Sequence, residues 1–318
     1  MDVLDLEFYQ KEYLNIINKK GMLNPFLPNV YQQTLNRVIE EKKRYLEPIR
    51  LRVLKCRQVG VSTWGASLVY HYCATDFFKN ALIIAHDADS SGAIFEMTKR
   101  FWDFSPEGIR PQKKRSNFKE MLFDKENEES TEGLRSSIKI ETANKLAAGR
   151  SKTIQCLHMS EKAFWRDAAT LQTGLFQSIP LASDTIILDE STANGISGEG
   201  EQFYNDWNDS GFTNMFFKWT LNPEYELPIG PDFKPDFYEL ELMKMYKELT
   251  YEKLNFRRYK IKNEMGSALL NPETQFCQEY PFTEQEAFIS SGRPVFDMEQ
   301  IQRDIVKSKQ FQVLIGEI

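Results

Sequence analysis

Lys55-Cys56-Arg57-Gln58-Val59-Gly60-Val61-Ser62-Thr63 stands between an apolar run at 51–54 and a helix-like segment at 64–72. Strand, glycine turn, helix is the order in which a loop cradles phosphates, because the turn and the helix N-terminus direct backbone N–H groups at an anion. Gly60 lets the backbone approach closely, and Ser62 opens the helix with a hydroxyl suited to Mg²⁺. Two positions depart from the usual G-x-x-x-x-G-K-[ST] pattern: Lys55 replaces the first glycine and Val61 replaces the lysine. The phosphate cation must then come from upstream, from Arg57 or from Lys55, and an arginine forks onto two phosphate oxygens. The loop reading assigns nucleotide contacts to Lys55, Gln58, Gly60, Val61, Ser62 and Thr63. A ligand-free helix cap gives the same Gly-x-Ser-Thr, so the rest of the chain has to decide.

Working outward, apolar or β-rich runs recur at 51–54, 81–85, 138–142, 154–158, 185–188 and 215–219. Several are near-continuous, as in strands covered on both faces. Helical patterns at 62–73 and 91–103 lie between them, which predicts an α/β fold, a mostly parallel central sheet flanked by helices. Residues 1–48 read as helical, with a helix at 31–41 after the breakers Pro25 and Pro28. The polar stretch 110–132 reads as a hairpin or loop carrying Lys113-Lys114-Arg115. Past Asn222, Pro223, Pro228, Pro231 and Pro235 mark a linker, and two amphipathic helices at 236–249 and 251–265 predict a small helical subdomain.

The run Ile154-Gln155-Cys156-Leu157-His158-Met159-Ser160-Glu161 is an apolar strand ending in Ser-Glu. P-loop ATPases of the additional-strand (ASCE, RecA-like) type carry an acid-tipped strand here, where an Asp orders Mg²⁺ and a following Glu polarises the attacking water. Glu161 takes the base position. Ser160 takes the Asp position, a weaker Mg²⁺ partner that acts through water. The competing reading is a surface Glu at the start of a helix. Upstream, Gly149-Arg150-Ser151 puts an arginine on a flexible loop, although by spacing alone Arg150 is one of 40 basic residues. A third strand ends Ile186-Ile187-Leu188-Asp189-Glu190-Ser191-Thr192-Ala193-Asn194-Gly195. Its tip falls at the carboxyl edge of the sheet, where ligands bind. There Ser191, Thr192 and Asn194 are suited to sensing a γ-phosphate, and a plain polar turn is the alternative.

These segments, in this order, resemble the ATPase domain of the large terminase subunit of tailed bacteriophages, the motor that packages DNA into procapsids. The matching stretches are 57–63, 157–165, 190–195 and Gln278-Glu279-Tyr280-Pro281-Phe282-Thr283-Glu284-Gln285-Glu286-Ala287-Phe288, within about residues 25–297. The resemblance implies Arg57 as the displaced phosphate cation, Ser62 as Mg²⁺ ligand and Glu161 as catalytic glutamate. It also implies Arg150 as an arginine finger given in trans and Ser191 to Asn194 as the coupling motif. Pro28-Asn29-Val30-Tyr31-Gln32 resembles the adenine-recognising segment, with Gln32 pairing both edges of the base and Gln33 as its competitor. ATP and Mg²⁺ are the implied cofactors. The implied partners are double-stranded DNA held through its phosphates without sequence preference, the portal protein, the small terminase subunit and further copies in a pentameric ring. The implied setting is the cytoplasm of an infected bacterial host, docked on the procapsid. The boundaries follow: 1–222 an ATPase core, 223–280 a helical lid, 281–318 the start of a linker. Only scattered acids, such as Asp297, Glu299 and Asp304, follow Pro281 before Ile318, so the expectation is an ATPase without the family's two-metal nuclease.

Bulk properties agree. The chain has 318 residues, 41% hydrophobic and 27% charged, with net charge −6, which argues against a wholly basic nucleic-acid coat. Its four cysteines and three histidines are scattered, without zinc spacing. No run spans a bilayer and the N-terminus lacks a signal-peptide pattern. Two rival readings are a helicase-like DNA-dependent ATPase, which needs a second such core, and a non-hydrolysing nucleotide-binding assembly module.

Overall fold

All six apolar runs become strands of one eight-stranded sheet in the structure, a computed structural model that describes residues 3–125, 133–145, 152–209, 211–265 and 271–290. Helix α1 (Leu6–Tyr13) leads to an antiparallel ribbon, β1 (Asn15–Ile17) and β2 (Leu23–Pro25), and then to α2 (Val30–Arg44). Strand β3 (Ile49–Lys55) feeds α3 (Val61–Ala74), followed by β4 (Asn80–Ala85) and α4 (Ala88–Phe104). The hairpin β5 (Lys113–Ser116) and β6 (Glu120–Phe123) precedes β7 (Ser136–Thr142). Next come β8 (Cys156–Ser160), α5 (Ala168–Phe176), β9 (Ile186–Ser191), α6 (Glu201–Trp207) and β10 (Thr213–Phe217). Helices α7 (Phe237–Met245), α8 (Tyr251–Asn263), α9 (Pro272–Glu279) and α10 (Glu284–Ser290) follow.

The ribbon departs from the helical reading of residues 1–48. Asn18 Oδ1 accepts from the amides of Lys20 (2.9 Å) and Met22 (3.0 Å), and Gly21 takes φ 77°. That side-chain turn reverses the chain where a helix would have continued. The polar stretch around 110–125 forms a hairpin at the sheet's antiparallel edge.

Sheet order is β10-β3-β9-β8-β4-β7-β6-β5, parallel from β10 through β7. Strand β9 sits between β3 and β8, so the chain carries the additional strand beside its phosphate-loop strand. Alternate residues of the central strands serve two cores. Ile83, Cys156 and Leu188 join a cluster with Trp64 and Val69 of α3 and Phe95 of α4. Leu82, Leu157, Met159 and Ile187 join Leu171 and Leu175 of α5 in another. Burial on both faces explains the unbroken apolar runs, since a one-sided sheet would alternate. After β10, Trp219 is fully buried among Phe256, Phe276 and Phe282, with ring centroids 6.0, 5.5 and 5.4 Å away. This plug packs α8 and α9 against the end of β10. Among the described residues no helix is long and apolar enough to cross a membrane.

Candidate nucleotide site

The chain leaves β3 for α3 and returns at β4, skipping β9 and β8, and this places the carboxyl ends of β3, β9 and β8 side by side. Ligands of open α/β sheets lie at such a reversal. The loop after β3 is held from its outer side. Asn29 Nδ2 donates to the Val59 carbonyl (3.0 Å), Gln32 Nε2 to the Gly60 carbonyl (2.8 Å), and Tyr225 Oη to the Arg57 carbonyl. Gln58 and Gly60 both take left-handed backbone, with φ 52° and 78°. Among the described residues the amides of Gln58 to Ser62 have no intramolecular acceptor. With the carbonyls drawn outward, the amides and the N-terminus of α3 remain for an anion. Val61 is buried at the first helical position and carries no charge, and Thr63 Oγ1 contacts Met97 Sδ at 3.7 Å.

Gln32 is engaged at both ends: its Oε1 accepts from the Asn29 amide (2.9 Å), closing a capping box for α2, while its Nε2 clamps Gly60. In this arrangement it braces the loop. Gln33 Nε2 donates to the Pro28 carbonyl.

The two candidate cations differ sharply. Arg57 is turned out, its side chain 56% exposed and paired with Glu279 of α9, which also accepts the Arg57 amide through its carbonyl at 3.1 Å. The Glu279 hydrogen bond moves the guanidinium further up. Lys55 turns in, with Nζ 2.8 Å from Glu161 Oε1 and 3.2 Å from Glu190 Oε2. Burial opposes its charge, but the two carboxylates outweigh burial and hold the ammonium above the ordinary lysine range.

Glu161 leaves β8 with φ 53°, a left-handed conformation strained for a residue with a side chain. The bend turns its carboxylate toward β9, where Oε2 accepts from Ser191 Oγ (3.3 Å) and the Thr192 amide (3.4 Å). Ser191 Oγ also accepts from the Ala163 amide (3.1 Å), and Asn194 Nδ2 donates to the Ala163 carbonyl (3.0 Å). Ser191, Thr192 and Asn194 therefore grip the turn that carries Glu161. The turn after Glu161 is a single 3₁₀ turn, Lys162–Phe164. Behind it, fully buried Lys162 pairs with Asp189 (3.1 Å) and Asp206, while Arg52 pairs with Asp189 (2.9 Å). Removing one member of such a network would leave a buried charge uncompensated.

Glu190 escaped the sequence reading. It is fully buried, in register with Ser160 on β8 and Val53 on β3. Its Oε1 accepts from Ser62 Oγ (2.9 Å) and Ser160 Oγ (2.8 Å), with His158 Nε2 at 3.3 Å. Burial works against its charge, but Lys55, then His158 and Ser160, outweigh it and hold the carboxyl well below the usual carboxylate range. The signal was an acid at the last inward position of a strand already quoted. Gly65 makes the arrangement possible, because a Cβ there would lie 2.6 Å from His158 Cε1 and 2.8 Å from Leu188 Cδ2.

Mg²⁺ suits this donor set. Among the described residues no three His, Cys, Asp or Glu side chains form a metal cage, yet nucleotide-bound Mg²⁺ takes one or two protein oxygens and fills the rest from phosphates and water. Ser62 and Ser160 bring hydroxyls to one oxygen of the Glu190 carboxylate, and the other oxygen, Oε2, meets Lys55 at 3.2 Å. Arg150 lies outside the described residues. Lys113 sits over the Trp102 ring at 3.2 Å and Arg115 pairs with Glu120.

Sheet order and loop together define a RecA-like α/β fold with the inserted strand. No known sequence family matches the chain, and no curated protein does. Among solved structures it is similar to the large terminase of bacteriophage HK97, with TM-score 0.54 and 11% identity over 82% of this chain and 51% of that one. The Thermus phage P74-26 large terminase ATPase domain follows at TM-score 0.46 and 16% identity, over 73% of this chain and 92% of that one. The large terminase of a thermophilic bacteriophage in complex with ADP gives TM-score 0.43 and 11% identity, over 66% of this chain and 47% of that one. The chain shares its fold with the HK97 protein and spans about half that protein's length.

Proposed function

We propose that this chain is an ATP-hydrolysing motor domain that drives double-stranded viral DNA into procapsids. The observation that carries the reading is the convergence of Lys55, Glu161 and Ser62 around the carboxyl ends of β3 and β8 and the start of α3, beside a loop whose Gln58 to Ser62 amides have no acceptor among the described residues. ATP takes its phosphates on that loop. Lys55, already inside the site, serves as the phosphate cation in preference to Arg57, which is bound to Glu279. A γ-phosphate competes with Glu161 for the Lys55 ammonium, so nucleotide entry frees the carboxylate to orient the attacking water. Ser62 and Ser160, the oxygen donors named from the sequence, would hold Mg²⁺, which would offset phosphate charge. Arg150 of a neighbouring copy completes the site. Ser191, Thr192 and Asn194, fastened to the Glu161 turn, pass loss of the γ-phosphate to the rest of the sheet.

The same reading takes 1–222 as the ATPase core, 223–280 as the lid and 281–318 as a linker. It takes a pentameric ring with portal protein, small terminase subunit and DNA as the assembly, in the host cytoplasm. The test is Glu161→Gln, assayed for nucleotide binding and for phosphate release at high protein concentration with and without DNA. Binding is kept, and turnover falls by about 10²–10⁴-fold, the worth of a positioned base. Near-normal hydrolysis removes Glu161 from the chemistry.

A further inference from the structure

A nucleotide-bound Mg²⁺ is a hard cation that favours carboxylate over hydroxyl oxygen. Strand β8 ends in Ser160, a neutral group, where an aspartate would ordinarily stand. The register places Glu190 of β9 directly beside it, one strand spacing or about 4.7–4.9 Å away. The small Ser160 side chain leaves room for the longer Glu190 to lean across, and the Ser160 hydroxyl donates to Glu190 Oε1 at 2.8 Å. The Ser62 hydroxyl, from the first turn of α3, donates to the same oxygen at 2.9 Å. Glu190 is fully buried, and its other oxygen, Oε2, meets the Lys55 ammonium at 3.2 Å. The carboxylate therefore sits beside the hydroxyl that loop chemistry gives to the metal and faces the phosphate loop.

We propose that Glu190 supplies the carboxylate of the Mg²⁺ site, standing in from β9 for the acid that β8 lacks, and that Ser160 is the positioning hydroxyl that orients it. The inference rests on the ATP-site reading above. A counter-ion role confined to Lys55 would leave metal dependence untouched, so metal dependence is the readout.

The experiment uses the full chain and a fluorescent N-methylanthraniloyl-ADP, titrated in excess Mg²⁺ and in EDTA, with electron paramagnetic resonance of Mn²⁺ in the presence of ADP as a direct count of bound metal. Wild-type protein binds more tightly in Mg²⁺. Glu190→Gln, whatever its own affinity in EDTA, loses the ratio by which Mg²⁺ tightens binding, and its Mn²⁺ affinity falls by at least about 10–100-fold, the loss seen when even an outer partner of a metal ligand is removed. The double variant Ser160→Asp, Glu190→Gln returns the acid to β8 and recovers the tightening to within a few-fold. It is compared directly with wild type if the single variant does not fold. Undiminished Mg²⁺ tightening in Glu190→Gln, or a folded double variant with none, overturns the proposal for Glu190 while leaving the ATP site intact. Wild-type protein that binds no nucleotide in either condition overturns the parent reading instead.

Discussion

Replacing Lys55 with Ala removes one ammonium from between two carboxylates. Lys55 and Glu190 side chains are 7% and 0% exposed, while Glu161 is 26% exposed. Breaking a buried pair by deleting one partner costs about 3–5 kcal/mol, because the charge left behind is uncompensated. Water reaches Glu161 and compensates it in part, so the low end, about 3 kcal/mol, applies. Arg57→Ala breaks a pair whose arginine side chain is 56% exposed, and exposed pairs contribute about 0–1 kcal/mol. Urea melts followed by tryptophan fluorescence at pH 8 measure both. The sign of the pH effect is opposite in the two carboxyl environments. In the wild type, Glu190 titrates below its unfolded value, so its stabilisation is present above that value and is lost as pH falls through the lower folded one. In Lys55→Ala, burial loses its main opponent and pushes the carboxyl up, so the penalty is present at high pH and is relieved as Glu190 gains a proton. The stability gap between the two proteins therefore narrows from pH 8 toward pH 5. Nucleotide affinity falls in Lys55→Ala and changes little in Arg57→Ala. A gap under 1 kcal/mol at pH 8, a gap that does not change with pH, or nucleotide loss confined to Arg57→Ala would refute the reasoning.

Gly65→Ala drives a methyl into His158 and Leu188, an overpacking that costs about 1–3 kcal/mol. Because His158 backs Glu190, the thermal melt of this variant falls, and Mg²⁺–ADP binding weakens more than ADP binding in EDTA. Arg150→Ala keeps nucleotide binding and lowers turnover by about 10³–10⁵-fold, the scale of an arginine finger, under conditions where wild-type activity rises with protein concentration. Equal loss of binding and turnover would refute the finger role.

The sheet was legible because burial on both faces leaves unbroken apolar runs, as in β4 and β8, and only that arrangement tolerates them. The positions of the loop and of Glu161, at the ends of β3 and β8, were legible because chain order and spacing locate them. The direction of a side chain was less accessible. Lys55 and Arg57 are two residues apart and both cationic, and only the fold separates them: the last residue of a buried strand aims its ammonium into the site, while the first turn of the loop aims its guanidinium at α9. Glu279 lies 222 residues from its partner Arg57, a distance no local pattern encodes. The ribbon of β1 and β2 was hidden because its turn depends on one side chain, Asn18, capping two amides. Gln32 carries the right chemistry to read a base, yet its amide spans Asn29 and Gly60, a brace visible only once α2 is docked beside the loop.

The two departures in this site explain each other electrostatically. A lysine after Gly60 would point from the helix start toward phosphate, and an aspartate at 160 would face it from β8. Moving the ammonium to the end of β3 changes its neighbours, because β3 pairs with β9 and not with β8. The strand beside Lys55 then has to carry the opposing charge, and it carries Glu190, in register with Val53 and Ser160 on either side. An ammonium buried there without Glu190 would be compensated only by Glu161, the group proposed to orient the attacking water. A buried Glu190 without Lys55 would lose the cation that most favours its ionised form. Cation and acid thus sit as a pair on neighbouring strands, Lys55 at the end of β3 and Glu190 on β9, and each offsets the cost of burying the other's charge.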